Sequence, residues 1–243
     1  MTALWPIALL SVCIAAYNGA LVGRIGRLSP FIARHLSLVD RFGWAAVNDV
    51  ARLTIAAVSQ LLFLMVLILV TRINPLASLR WHPAVIAAGA LLGVAEMGLA
   101  SFMAYVLMRA MTSLGPARSL GAVDDWLVAA RGGWMRYFAH AVRITPPWYL
   151  LSVTLLYVAV EEVIFRATII TYLLPHGSAQ ALIYSVLAFT VVQVLHTPSW
   201  KTGIFPALGA IAVGGVHGCL FLVTGDVTPL IVAHFTFFLA AVW

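Results

Sequence analysis

Three charged residues stand close together in Glu161-Glu162-Val163-Ile164-Phe165-Arg166, inside an apolar run covering 147–174. A charged side chain at mid-membrane costs roughly 2.5–3.5 kcal/mol on insertion scales, so a cluster like this needs partners and points to a purpose. In an α-helix each residue turns about 100°, which puts Glu162 and Arg166, four apart, on nearly one face where they can pair. Glu161 is then the unpaired acid, roughly 100° from Glu162 and 140° from Arg166. A Glu–Arg pair can fix the helix, while the free carboxylate is available as a general base toward water. The same spacing also suits a structural ion-pair cluster joining two helices.

Histidines in three later apolar runs extend the chemistry: His196 closes Phe189-Thr190-Val191-Val192-Gln193-Val194-Leu195-His196, His217 follows Gly214-Gly215-Val216, and His234 precedes Phe235-Thr236. A glutamate with two imidazoles on separate helices can bind a tetrahedral metal that keeps an open position. It can equally activate water without a metal, a second imidazole stabilising the oxyanion. The three histidines sit on three different spans downstream of the acid pair, the arrangement a bundle site needs. The remaining glutamate, Glu96, is the lone acid of its run, between Gly93 and Gly98. It reads first as a carboxyl hydrogen-bonded to a neighbouring helix, and second as a group facing the site or a water-filled cavity. Gly89, Gly93 and Gly98 suit close helix packing.

The elements that must carry these residues are transmembrane helices. Hydrophobic residues make up 63% of the 243 residues and charged residues 9%, the composition of an all-α, polytopic transmembrane helical bundle. Apolar runs predict about seven spans, near 4–22, 51–70, 83–108, 147–174, 179–196, 205–223 and 227–243. The first run has no Lys or Arg before it and Arg24 and Arg27 after it, opposite to the charge order of a secretory signal, so it reads as a retained helix. The net charge of +6 does not point to nucleic acid, because the arginines fall between apolar runs. Arg24, Arg27, Arg34, Arg41 and Arg52 lie around the first connection, and Arg109, Arg118, Arg131, Arg136 and Arg143 around the third. Those connections, with Lys201, are expected in the cytoplasm, which puts the amino terminus outside and the carboxyl terminus inside the cell (plasma or inner) membrane. Segment 24–49 mixes Phe31, Leu36, Leu38, Phe42 and Trp44 with basic residues. It suits either an interfacial amphipathic helix or a loop leading into the second span. In 109–146 a helix start is expected at Asp124-Asp125-Trp126, between the Gly115-Pro116 and Gly132-Gly133 breakers. Cys13 and Cys219 both lie in apolar runs and imply no disulfide framework.

The carboxyl-terminal motifs resemble those of the CAAX-protease and bacteriocin-processing (CPBP, or Abi) intramembrane proteases. Glu161-Glu162-Val163-Ile164-Phe165-Arg166 matches the EExxxR motif of that family, His196 its second motif, and His234, after Gly225-Asp226-Val227-Thr228-Pro229, its third. The resemblance divides the chain into 1–146, amino-terminal helices and basic loops, and 147–243, a catalytic core of four transmembrane helices. It implies an intramembrane endopeptidase acting on a membrane-associated protein or peptide within the lipid bilayer. Glu161 and His196 would polarise a water, His234 would stabilise the developing negative charge, and Glu162 with Arg166 would hold the helix and orient Glu161. Zinc bound by Glu161, His196 and His234 and a metal-free glutamate–histidine mechanism both remain open. Two positions depart from the family: Val192 replaces a packing Phe, and Phe238 stands where the family has Asn or another polar residue. A phenyl ring donates no hydrogen bond, so substrate or oxyanion support would have to come from His217, Gln193, Thr236 or Tyr184. Phe238 also favours the competing reading, a non-catalytic protein of the same fold serving as an immunity, chaperone or scaffold subunit. A proton- or ion-coupled transporter using Glu96, Glu161 and Arg166 is the third.

Overall fold

A computed structural model describes residues 4–114, 135–195, 197 and 199–242. Apolar sequence with few helix breakers produces helices throughout these segments. Helix α1 (Leu4–Ala16) runs through a π-helical stretch, Tyr17–Val22, into α2 (Gly23–Arg34). A short α3 (Leu38–Phe42) ends at Gly43, whose φ of 81° only glycine adopts without strain. Helix α4 (Trp44–Thr71) closes with Arg72 in the left-handed region, its N–H donating to the Ile68 carbonyl at 2.8 Å. Helix α5 (Pro83–Leu114) follows a 3-10 turn at Pro75–Ser78, and α6 (Met135–Ile144) precedes α7 (Pro147–Glu162). A helix begins at Pro147 as expected: Pro occupies the first helical turn, where no N–H is needed.

The charged motif falls where α7 widens. Val163–Ile170 is π-helical and every residue in it is buried, before Thr171–Leu173 and a 3-10 turn at Leu174–His176 end the element. Single π segments inside helices tend to occur at functional sites. The Ser185 hydroxyl donates to the Phe165 carbonyl at 2.8 Å and ties this stretch to α8 (Ser178–Leu195). Helix α9 (Trp200–Thr224) begins with a reciprocal Ser199–Thr202 capping box and stops at Gly225, at φ 63°. Helix α10 (Thr228–Val242) starts under Asp226, whose Oδ1 accepts from the Thr228 N–H at 2.9 Å.

The architecture is a helical membrane bundle. Trp44–Thr71, Pro83–Leu107, Ser178–Leu195 and Thr202–Thr224 are long and apolar enough to cross a bilayer, and Leu4–Gly19 and Thr228–Ala240 are shorter apolar helices. Segment 24–49 divides between its two readings: α2 and α3 form separate helices exposing Leu28, Phe31 and Ile32, and α4 already begins at Trp44. The helix start expected near Asp124 lies outside the described residues.

Glycine decides how close two helices approach. A Cβ on Gly89 would meet the Pro229 carbonyl oxygen at 2.5 Å and Val232 Cβ at 2.9 Å, and one on Gly93 would run into the Ala233 carbonyl and lie 2.8 Å from Thr236 Cβ. Helices α5 and α10 therefore touch backbone to backbone, which brings Glu96 beside the carboxyl-terminal helices.

Candidate active site

Five charged or imidazole side chains form one buried chain across α5, α7, α9 and α10. Arg166 and Glu162 pair as their spacing predicted, Nε to Oε2 at 3.1 Å, with neither side chain exposed. The guanidinium also lies over the Phe189 ring, its carbon 4.5 Å from the centroid. Glu162 accepts from two imidazoles as well, from His217 Nδ1 through Oε2 at 2.9 Å and from His234 Nδ1 through Oε1 at 2.7 Å. His217 Nε2 in turn lies 3.1 Å from each oxygen of Glu96. Glu96 found no partner along its own helix because its partner is on another one. Its hydrogen-bonded, structural reading agrees with this placement.

Glu161 faces the opposite way from Arg166 and is held by neutral donors. Gln193 Nε2 donates to its Oε1 at 2.8 Å, Gln60 Nε2 donates to the same oxygen at 3.2 Å, and the Tyr157 hydroxyl is hydrogen-bonded to it. Its Oε2 looks toward His234 Nε2 across 3.9 Å. Both groups, with Gln193, lie on the wall of a cavity of about 80 Å3 otherwise lined mainly by apolar side chains, among them Phe189, Phe205, Phe237 and Phe238. One ordered water requires roughly 10–15 Å3 measured the same way, so the space admits water and part of another molecule.

The predicted site residues thus separate. Glu161, Gln193 and His234 meet at the cavity, and Glu162 and Arg166 stand behind them. His217 lies further back between two carboxylates and is not among the cavity residues. Thr236 faces α5 at Gly93, and Tyr184 exchanges a hydrogen bond with Ser11 at 2.9 Å, so neither lines the cavity. Phe238 does line it, edge-on to Phe138 of α6 with centroids 4.7 Å apart. His196 lies outside the described residues. Among the described residues no three His, Cys, Asp or Glu side chains converge as metal ligands; Glu161 and His234 are two of the three residues the zinc reading requires.

Sequence reasoning missed Gln60 and Tyr157. Both signals were present: Gln60 is a polar residue in the middle of an apolar run, and Tyr157 precedes Glu161 by one helical turn.

The fold and the site define an integral membrane helical bundle with a buried acid–histidine cluster beside a largely apolar cavity. Residues 143–240 match the family model described as Rce1-like, type II CAAX prenyl endopeptidase Rce1-like, in agreement with the resemblance read from the motifs. Neither curated proteins nor solved structures gave a match.

Proposed function

We propose that the chain is an intramembrane endopeptidase that hydrolyses a peptide bond of a membrane-associated protein or peptide. The observation that carries this reading is the 3.9 Å approach of Glu161 Oε2 to His234 Nε2 on the cavity wall. A water about 2.8 Å from both atoms would subtend an angle near 90° at its oxygen, which suits donation to the carboxylate. Glu161, with its other oxygen occupied by two amides, takes the proton of that water as it attacks the substrate carbonyl. His196 assists at the water, as the family motif implies. His234, its Nδ1–H held on Glu162, presents Nε2 to the cavity, where a proton picked up on that nitrogen during the reaction would be donated to the developing oxyanion. Glu162 and Arg166 hold the helix that carries Glu161.

Zinc would use Glu161 Oε2 and His234 Nε2, with His196 as its third protein ligand, and would supply a polarised water. Arginine placement supports cytoplasmic positions for the stretches 24–52 and 109–143, with the amino terminus outside and the carboxyl terminus inside the plasma or inner membrane. The test is cleavage of a quenched membrane peptide by purified protein in liposomes. Glu161→Gln is expected to abolish turnover while insertion is retained; turnover unchanged in that variant would sink the assignment. Chelation followed by zinc restoration separates the two mechanisms, since only the zinc route loses and regains its rate.

A further inference from the structure

We propose that Glu96 and His217 are positioning residues for His234, acting through Glu162 to keep the Nδ1–H of His234 on Glu162 and its Nε2 toward the cavity. What His234 then does rests on the reading above; the positioning itself rests on geometry alone. Both ring nitrogens of His217 face carboxylates, Glu162 at 2.9 Å and Glu96 at 3.1 Å. An ionised carboxylate only accepts, so with Glu162 ionised against Arg166 both contacts are satisfied in two ways. Either His217 carries two protons, or Glu96 carries one and donates it to Nε2. In both, the Nδ1–H of His217 points at Glu162 Oε2.

That divides the two oxygens of Glu162 between different tasks. Oε2 accepts from His217 at 2.9 Å and is ion-paired with Arg166 at 3.1 Å, and Oε1 is left to His234 at 2.7 Å. An ionised Glu162 obliges His234 to carry its proton on Nδ1, and in the neutral ring this leaves Nε2 as the bare nitrogen, 3.9 Å from Glu161. Arg166 alone would not fix this arrangement, because a single cation on one oxygen leaves the carboxylate free to turn about its last torsion. Glu96 belongs to α5, outside the segment 143–240 that matches the family, so this arm links the amino-terminal half of the chain to the site.

The experiment uses the full chain in lipid nanodiscs with nitrogen-15 histidine, His234 being assigned from a His234→Gln sample. In the parent its ring nitrogens are expected to report one tautomer, protonated at Nδ1. His217→Leu is expected to give mixed tautomers and to lower kcat about ten- to a hundredfold, the range for residues that orient a site from behind, with KM little changed. His217→Gln, whose amide can donate to Glu162, is expected to recover most of the rate. Glu96→Leu is expected to show a smaller loss than His217→Leu, and the double variant no loss beyond that of His217→Leu. A His217→Leu protein that melts lower but keeps the single tautomer and the parent kcat per folded molecule overturns the proposal, as do losses that multiply in the double variant. If the parent cleaves no peptide, the nitrogen signals still decide the positioning, and only the enzymatic reading is lost.

Discussion

At the scale of single residues, the division of labour between neighbouring glutamates follows from what each can reach. Glu162 is surrounded by Arg166, His217 and His234, while Glu161 is supported, among the described residues, by two amides and a phenol and turns Oε2 toward His234. Phe238 lies one turn beyond His234 and lines the same cavity, where it adds apolar surface and no donor. Replacing Phe238 with Asn is expected to raise the rate of peptide cleavage about tenfold, below the 10²–10³ that one fully preorganised oxyanion donor is worth. Progress curves at saturating peptide would show it. A parent without turnover that gains it in this variant would instead support the non-catalytic reading of the natural chain. The Glu162–Arg166 pair was legible because their separation alone sets their faces. The partner of Glu96 was not, since it lies 121 positions away.

Among elements, the contact between α5 and α10 decides whether the site exists. Gly89 and Gly93 leave no room for a Cβ against Pro229, Val232 and Ala233. Gly93→Val is expected to destabilise the bundle by about 1–3 kcal/mol or more, the range for overpacking, and to draw Glu96 away from His217. Gly98→Ala is the matched control, because nothing lies within 4 Å of its missing Cβ and alanine is the better helix former. Thermal unfolding in detergent that ranks the two variants equally would remove the packing argument. Glycines signalled close packing in the sequence, but the identity of the helix they meet did not show there. The π-helical stretch was equally hidden: Val163–Ile170 reads as ordinary apolar helix, and only packing against α8 and α9 reveals the widened turns.

For the whole molecule, charge placement in the connections sets the expected orientation of the site in the membrane. The arginine-rich stretches 24–52 and 109–143 are expected on the cytoplasmic side, and the connection holding Arg72 and Arg80 outside. Single cysteines placed at Ser37 and at Asn74 in a chain lacking Cys13 and Cys219 are expected to label from opposite sides of sealed vesicles. Labelling from the same side would invert or discard this orientation. The site also draws on the whole molecule in another sense, because Gln60 and Glu96 come from helices that precede the segment matching the protease family. The amino-terminal helices therefore hold the acid and brace the cluster as well as anchoring the chain.

The sequence by itself determined that this is a helical membrane protein, that Glu162 pairs with Arg166, and that Glu161 is the acid left free. Each of these depends on composition or on spacing within one helix, where geometry is set by the helical repeat. Only the tertiary structure decided that His234 rather than His217 reaches the cavity, that Glu96 meets His217, and that Gln60 and Tyr157 hold Glu161. Those relations cross between helices, and their direction depends on how the helices are rotated against one another. Nothing in the local repeat specifies that rotation; the close approach at Gly89 and Gly93 and the buried polar partners do.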